Sequence, residues 1–368
     1  RQALSEIFAL TQADVQSRTP VVYTNATQSS VDAQYQFNAA FQADPDNPTN
    51  IVGYLNQTLY RCSSDCLAVS ADGASCPMGL VQIHEKLNSR VNSGRTLYVA
   101  VDGQREDLKH SLADLAGSGE DMESMFAVNQ TGQLPTVEPA GFSGSTPIFS
   151  QDPLGSASDL SVQKTYLKQL VSLIRADSTS ARRGKQMGGV VHTAPVVQEP
   201  ARHGQYPIDS WGTYIETLQG GTNGYPPKCR PTVLFAGTHD GLIHAFRVDR
   251  FDDGDSACAD YVDTQSANDV GEELWAIMPQ RLLKASQSLV GGFAFLMDGQ
   301  MRLADVMLTR SNPAETTTEQ EAAQWRSVLV AGYGAGGQGF IGLDVTTALS
   351  GPEVMWEIDH EARCHAGT

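Results

Sequence analysis

The stretch that decides the fold covers residues 232–248 and reads Thr-Val-Leu-Phe-Ala-Gly-Thr-His-Asp-Gly-Leu-Ile-His-Ala-Phe-Arg-Val. Two apolar, β-branched runs, at 233–236 and 242–248, flank a His-Asp-Gly turn signal at 239–241. Asp-Gly tolerates the positive φ that a tight turn between antiparallel strands requires. After an acidic insertion, a Gly-Glu turn precedes a third apolar run at 274–277. The pattern predicts three consecutive antiparallel strands.

The same order of elements returns further along the chain. The run at 327–332 repeats the first strand, and the run at 340–345 repeats the second. The segment 351–358, which contains Trp356, repeats the third strand, which contains Trp275. A repeat of this kind is typical of propeller blades, because each blade is too thin to bury both of its faces alone. We expect both tryptophans to be buried against neighbouring blades.

Each copy also has a candidate opening strand, at 192–197 and at 298–306. These complete two predicted four-stranded blades, at about 188–279 and 297–358. Both exceed the usual blade length of roughly 40–45 residues, so surface insertions are expected. The alternative is two unrelated hairpins of a β-sandwich, but the ordered match of three elements favours blades. Because a propeller ring takes about four to eight blades, the chain is interpreted as part of a longer protein.

The first part of the chain has a more mixed pattern of helical and strand-like spacing. Its predicted elements are helices at 3–17 and 163–176 and strands at 33–41, 50–60 and 94–101. The fold class is therefore predicted to be mainly β. A smaller mixed α/β region, 1–180, precedes a partial β-propeller with quinoprotein-like blades, 181–368.

Composition argues against some classes of function. The 368 residues include 25 basic and 42 acidic side chains, for a formal charge of −17. That balance opposes nonspecific nucleic-acid binding, which depends on lysine and arginine neutralising phosphates. No apolar run is long enough to span a bilayer, so no transmembrane segment is predicted. The chain starts at Arg1 with neither an initiator Met nor a signal peptide, as expected of a processed or excised piece.

Abundant uncharged polar residues and few lysines suit an extracytoplasmic protein, in which disulfides can form. The disulfide candidates are Cys62, Cys66, Cys76, Cys229 and Cys258. The first three also resemble a metal knuckle, but a fourth ligand at suitable spacing is missing, so at least one local bridge is expected instead. Cys229 and Cys258 flank the two strands of the first hairpin, and a bridge between them is expected as well.

The loop after the second strand is crowded with aspartates, of which Asp249, Asp253 and Asp255 are candidate calcium ligands. Carboxylates close to a glycine suit a calcium loop, but the regular spacing and the final bidentate glutamate are lacking. A solvated acidic insertion is the favoured interpretation. No metal and no other cofactor is therefore assigned to these residues.

Residues 334–339, Gly-Ala-Gly-Gly-Gln-Gly, match the dinucleotide-binding fingerprint and follow a strand. That fingerprint requires a helix next, because the helix N-terminus holds the pyrophosphate. Here the residues from Phe340 onward have a strand pattern. We therefore predict a glycine-rich turn between antiparallel strands, with positive φ at Gly336 or Gly337 and no bound nucleotide.

His192, His239 and His244, with Asp240 nearby, form a candidate acid–base group. A packed core position for His244 and a turn position for His239 are favoured instead. The sequence has no Gly-x-Ser-x-Gly elbow and no Ser-His-Asp order. It also lacks the neighbouring Cys-Cys pair of the quinone-dependent dehydrogenases that share the propeller pattern. No catalytic residue is assigned, and the chain is predicted not to be an enzyme.

Four segments, in this order, resemble the PilY/PilC family of type IV pilus proteins, whose C-terminal part is a β-propeller. They are residues 189–197, 233–246, 271–279 and 325–339. The resemblance implies a pilus tip-complex protein at the cell surface or pilus tip, reached through the periplasm. It further implies minor pilins as partners, a role in pilus biogenesis, and adhesion to host or abiotic surfaces.

Two other functions remain alternatives: a periplasmic quinoprotein-type dehydrogenase and a generic outer-envelope scaffold. The family resemblance also implies a calcium loop of the type Asp-x-Asn-x-Asp-Gly in a later blade. No such loop occurs in these 368 residues, so calcium binding is expected only in a missing part of the parent protein.

A binding surface is expected in the insertions, because blade strands are occupied with packing whereas loops are free to vary. The insertion 198–230 carries four candidate binding residues, Tyr206, Trp211, Tyr214 and Tyr225. Exposed aromatic side chains on a loop suit partner binding, since they bury much area at low entropic cost. The alternative is that these rings pack the insertion onto the propeller. The acidic loop 250–270 is a second candidate surface.

Overall fold

Strands predominate in the computed structural model, so the prediction of a mainly β fold is confirmed. Among the described residues, the strands form three sheets of four, six and five strands. The residues that the structure describes are 21–23, 33–44, 51–61, 76–90, 95–108, 167, 170–176, 182–220, 224–248, 258, 270–289, 293–309, 317–359 and 364–366. The helix predicted at 3–17 lies outside them.

The first sheet is an antiparallel four-stranded sheet in chain order. Its strands are β1 (Val22–Tyr23), β2 (Ala33–Ala43), β3 (Ile51–Arg61) and β4 (Cys76–Gln82). Helix α1 (Ile83–Ser89) follows directly. Alternation along the strands places Phe37 and Leu55 in a buried cluster together with Ile83 and Leu87 of α1. The strands predicted at 33–41 and 50–60 are thus present.

The second sheet combines residues from distant parts of the chain. Its strands are β5 (Leu97–Val101), β6 (Gln104–Asp107), β7 (Val196–Gln198), β8 (Val233–Gly237), β9 (Ile243–Arg247) and β10 (Glu273–Met278), in the order β6-β5-β10-β9-β8-β7. β7 to β10 are consecutive antiparallel neighbours, as predicted. β5 instead pairs with β10 in parallel. Strands on both sides of the predicted domain boundary near residue 180 therefore share one sheet.

Helices are short and lie between the strands of the later sheets. They are α2 (Asp209–Glu216), α3 (Gln280–Ala285) and α4 (Thr318–Ala322). α4 begins with a capping box in which Thr317 and Gln320 exchange side-chain and backbone hydrogen bonds. Residues 170–175 are also helical, and their apolar stripe is buried, as the spacing at 163–176 predicts.

The third sheet is antiparallel throughout, and its strands follow one another in chain order. They are β11 (Met301–Met307), β12 (Trp325–Gly332), β13 (Gly339–Asp344), β14 (Glu353–Asp359) and β15 (Cys364–Ala366). The first four match the second predicted set of strands. Within the described residues the three sheets do not close into a ring.

Both predicted turns have the expected position. Gly241 closes the turn between β8 and β9 with φ +94°, and its N–H donates to the Thr238 carbonyl at 2.9 Å. The glycine-rich segment 334–339 joins β12 to β13, and Phe340 lies in a strand, as predicted. The prediction of positive φ at Gly336 or Gly337 was wrong. Gly334 carries it instead, at +60°, where a Cβ atom would lie 2.6 Å from the Gly299 nitrogen.

The main core lies between the second and third sheets. Phe235 and Trp275 of one sheet and Leu329 and Ile341 of the other belong to the same buried cluster. Trp275 is 1% exposed, as predicted, and its indole N–H donates to the Ala348 carbonyl at 2.6 Å. Trp356, predicted to be equally buried, is only half-buried, opposite Gly342 on β13. The two tryptophans are therefore not equivalent in packing.

A chain of buried charged groups crosses the second sheet. Glu273 on β10 accepts two hydrogen bonds from Arg95, both at 2.7 Å, and lies 2.7 Å from Nδ1 of His244. Burial alone would raise the pKa of Glu273, but the Arg95 guanidinium outweighs it and holds that pKa well below its usual range. His244 is fully buried, in agreement with the predicted core position.

A second buried carboxylate lies at the β8–β9 turn. Asp240 pairs with Arg182 at 2.5 Å and accepts a hydrogen bond from the Thr238 hydroxyl. The ring of the neighbouring His239 accepts a hydrogen bond from the Gly189 N–H at 2.8 Å and stacks on Phe293. Burial lowers the pKa of His239 to about 4, because the protonated ring is poorly solvated there. This histidine is therefore neutral at pH 7.

Replacing Trp275 by Ala is expected to lower the free energy of unfolding by about 3–5 kcal/mol, because it removes a large buried ring. Trp356→Ala serves as the matched control and should cost clearly less, since its ring is only half-buried. Urea unfolding followed by circular dichroism measures both. Equal losses would contradict the unequal packing of the two rings.

Acidification is expected to destabilise the protein through His239. The unfolded chain binds this proton below about pH 6.5, whereas the folded protein resists it down to about pH 4. Stability is therefore lost as the pH falls through that window, by about 2 kcal/mol at about pH 5. His239→Asn keeps an acceptor for the Gly189 N–H but cannot bind a proton in this pH range. The variant should therefore not show this part of the loss of stability. Unfolding midpoints of wild type and variant, measured at about pH 7 and about pH 5, test this expectation. A variant with the same pH dependence as wild type would refute it.

Candidate functional site

A pocket of about 660 Å³ opens between the edges of the second and third sheets. One wall is β7 and the residues after it, the second is the insertion around Tyr206, and the third is β11. Its floor contains Arg230, Asp305 and Ser327. The volume lies within the range of roughly 300–1,000 Å³ that is common for ligand pockets. The pocket is the candidate functional site.

The insertion that forms one wall is held by a cluster of packed aromatic rings. Trp211 and Tyr214 on α2 pack against Trp325 of β12, and the Trp211 indole N–H donates to the Arg202 carbonyl at 2.8 Å. The Tyr206 ring lies 4.8 Å from the Trp211 ring and 5.1 Å from the Trp325 ring. These contacts fasten the insertion to the third sheet and give the pocket a rigid wall.

The four candidate binding aromatics have different surroundings. Trp211, Tyr214 and Tyr225 are buried, whereas Tyr206 is half-buried and lines the pocket. Burial raises the pKa of Tyr214, and that of Tyr225, to about 12. This burial favours the interpretation in which the rings pack the insertion onto the sheets. A direct role in binding stays a prediction for all four, and Tyr206 has the position best suited to it.

A buried ion pair forms the floor of the pocket. The Arg230 guanidinium donates to both carboxylate oxygens of Asp305, at 2.8 and 3.0 Å. It also donates to the Ser327 hydroxyl at 2.7 Å and to the Glu199 carbonyl at 2.5 Å. Burial alone would raise the pKa of Asp305, but the adjacent Arg230 lowers it below its usual range. Both groups are therefore charged at pH 7.

The donor groups of Arg230 are largely used within the protein, which limits the contacts that the floor of the pocket can make with a ligand. Arg230 already has four acceptor atoms among the described residues, so its main effect is to hold the segment after β7, β11 and β12 at fixed positions around the cavity. Half-buried apolar side chains of Val197, Leu303 and Tyr206 line the space above it. An arrangement of this kind suits binding by shape and backbone contacts.

A disulfide fixes the base of the insertion. Cys229 and Cys258 are joined, with Cα atoms 5.5 Å apart, and they pack beside Tyr225. This is the pairing expected from their positions in the sequence. Cys62 and Cys66 lie outside the described residues, as does the side chain of Cys76, which begins β4. Their predicted local bridge stays a prediction.

The remaining predicted site residues give no further centre in the described part of the chain. The candidate calcium ligands Asp249, Asp253 and Asp255 lie outside it. No cluster of three metal-binding side chains occurs among the described residues. None of their helices is long and apolar enough to cross a membrane.

Sequence reasoning missed the Arg230–Asp305 pair. The one available signal is Asp305 itself, an acidic residue at an inward position of β11, where a buried carboxylate requires a partner. The sequence does not say which cation supplies it, because Arg230 is 75 residues away.

The fold and the pocket together define a mainly β protein whose sheet edges enclose a site suited to binding. Three of the similar curated proteins are named type IV pilus biogenesis factor PilY1 or its homologue. The Xylella fastidiosa homologue is 27% identical over 217 residues, covering 52% of this chain and 12% of the relative. Two Pseudomonas aeruginosa proteins, from strains UCBPP-PA14 and PAK, are 25% and 22% identical over 48% and 54% of this chain, covering 13% and 15% of each relative.

The resemblance to the PilY/PilC family is therefore confirmed, and the matches support membership of the PilY1 family at modest identity. The matched part of the chain spans about one eighth of the length of these relatives. No family model matches the chain, and no solved structure matches it significantly.

Replacing Arg230 by Met is expected to lower the free energy of unfolding by about 3–5 kcal/mol, because it leaves the Asp305 carboxylate buried without its cation. The double variant Arg230→Met with Asp305→Leu removes both charges and should recover part of this loss. Urea unfolding of wild type, both single variants and the double variant gives the coupling energy. A double variant whose loss equals the sum of the single losses would contradict a coupled pair.

Proposed function

We propose that this chain is part of a type IV pilus biogenesis factor that works through protein–protein interaction. The observation that carries the proposal is the similarity to PilY1 proteins over about half of the chain. These relatives are named as biogenesis factors. We propose the same process for this protein, with an extracytoplasmic location at the cell surface or pilus tip. The Cys229–Cys258 disulfide supports such a location, because disulfides persist in oxidising compartments.

In this proposal the second and third sheets are two blades of a propeller in a longer protein. Their four-stranded antiparallel units, β7 to β10 and β11 to β14, pack face to face through one core. That arrangement suits neighbouring blades, which bury each other's faces. Extra strands β5 and β6 extend the first of these sheets beyond the usual four.

The proposed partners are minor pilins at the pilus tip, and the proposed adhesion targets are host or abiotic surfaces. The pocket and the insertion beside it are the proposed contact region. The insertion is fastened by Trp211 and Trp325, so it presents a preorganised surface, and preorganisation lowers the entropic cost of binding.

The proposal predicts that deleting the gene reduces surface pili and pilus-dependent motility and adhesion. Complementation with the wild-type gene should restore all three. Counting pili by electron microscopy and measuring twitching separate assembly from adhesion. Normal pili and normal adhesion in the deletion strain would refute the proposal.

Two further measurements separate this proposal from a dehydrogenase or a scaffold. An absorbance spectrum of the purified protein together with a dye-linked alcohol oxidation assay should show neither a bound quinone nor turnover. The ring of Tyr206 lines the pocket. A deletion strain complemented with the Tyr206→Ala gene should therefore form fewer pili than one complemented with the wild-type gene, if the pocket is the contact region. Full complementation by that variant would show that the pocket is not the contact region. The pocket would then have only a scaffold role.

A further inference from the structure

Two edge strands, each with one side unpaired among the described strands, contribute residues to the same pocket. β7 is the last strand of the six-stranded sheet and β11 is the first strand of the five-stranded sheet. Leu303 and Asp305 of β11, and Val197 and Gln198 of β7, all line the cavity. An edge strand presents a row of unpaired N–H and C=O groups, which is a template for another extended chain. β11 is seven residues long and offers the longer of the two edges.

The register shows which backbone groups of β11 point into the open edge. Hydrogen bonds from Gly332 N–H to the Gln300 carbonyl and from Leu308 N–H to the Gln324 carbonyl mark the pairs bonded to β12. Bonded pairs alternate in an antiparallel ladder, so the intervening even-numbered residues also bond to β12. The residues whose backbone groups point the other way are Met301, Leu303, Asp305 and Met307. Their backbone groups form no hydrogen bond with the described residues.

The same reasoning gives the facing edge of β7. Hydrogen bonds of Thr238 and Val248 fix which residues of β8 face β9, and the others, Val233 and Phe235, face β7. Their partners are Gln198 and Val196, so the groups of Val197 point away from β8. β7 is only three residues long and therefore offers one central residue to a ligand.

The two edge strands lie beside each other and are tied together at one end. The Thr193 hydroxyl donates to the Met297 carbonyl, and the Gln300 amide donates to the His192 carbonyl. Further along, Arg230 bridges the Glu199 carbonyl to Asp305 beneath the cavity. The pocket therefore has a closed end and a floor, and its two long sides are β7 and β11.

We propose that the pocket binds an extended peptide segment of a partner protein, which adds to β11 as a further antiparallel or parallel strand. The open groups of Leu303, Asp305 and Met307 supply the backbone hydrogen bonds. Val197, Leu303 and Tyr206 contact one apolar side chain of the peptide, since alternate side chains of an added strand point into the site. This inference rests on the proposed function in one respect only, namely that the partner is a protein.

A single peptide segment fits this edge better than a second copy of the protein. The insertion that carries Tyr206 forms a wall beside β11, so another sheet lacks room to approach edge to edge. The volume of about 660 Å³ holds a short stretch of one chain. An edge that is recessed in this way admits a strand and excludes a sheet, which protects it from aggregation.

The test begins by selecting binders to the whole purified chain from a phage-displayed library of random linear peptides. The selected peptides are then measured against Leu303→Pro and Leu303→Ala by calorimetry. Both variants lose the leucine side chain, but only proline removes the N–H that points into the open edge. We expect the selected peptides to bind the alanine variant, and to bind the proline variant at least about tenfold more weakly.

Amide hydrogen exchange reads the same contact without a variant. The amides of Ala304 and Val306 bond to β12 and should be protected in the free protein. Those of Leu303 and Asp305 should exchange fast in the free protein and slowly once the selected peptide is bound. In an added strand, every second backbone N–H of the peptide points towards β11. Methylating these nitrogens should abolish binding, whereas methylating the nitrogens between them should not.

Three results would overturn the proposal. These are failure of the library to yield any binder, equal affinity for the proline and alanine variants, and a Leu303 amide that is already protected in the free protein. The last would mean that another segment of this chain covers the edge. If the proline variant does not fold, exchange at Leu303 and Asp305 with bound peptide decides the matter. Because none of these measurements involves pili, their failure would leave the role in pilus biogenesis to its own test.

Discussion

The fold depends on one buried carboxylate, that of Glu273. It lies in β10, the strand that joins the two halves of the six-stranded sheet, and it has Arg95 on one side and His244 on the other. A charge at this depth is tolerated only when it is paired and hydrogen-bonded. β10 is therefore stable in its central position only when the segment around Arg95 is docked against it. The early part of the chain is thus an obligatory component of this sheet.

The Arg230–Asp305 pair acts in the same way between the second and third sheets. A buried ion pair adds little net stability over a well-packed apolar pair, yet losing one partner is costly. What both pairs provide is therefore a unique arrangement: each cation fits one carboxylate and fixes the relative position of the segments that carry them. The pocket keeps its shape because its floor belongs to such a pair, while its apolar wall is set by the edge-to-face packing of Tyr206, Trp211 and Trp325.

Local patterns predicted much of the fold and little of the site. The Asp-Gly turn at 240–241, the glycine-rich turn at 334–339 and the strands around them follow from residue spacing, and the structure has them. The parallel β5–β10 pairing and the Arg230–Asp305 pair could not be found this way, because each joins segments far apart in the chain. The sequence contains the aromatic residues of the insertion, but it does not show whether a ring faces solvent or a neighbouring sheet. Burial of Trp211 and Tyr214 depends on Trp325, about a hundred residues later.

The parallel pairing of β5 with β10 has a consequence for the order in which the protein can fold. Arg95 and Glu273 are 178 residues apart in the chain. During synthesis, β5 is therefore made long before β10, the strand with which it pairs in parallel. Contacts of such long sequence separation slow folding and prolong the exposure of unpaired strands. A protein of this topology is expected to need chaperone protection in the compartment where it folds, and truncation before residue 273 removes β10 and leaves β6 as the neighbour of β5 among the described strands.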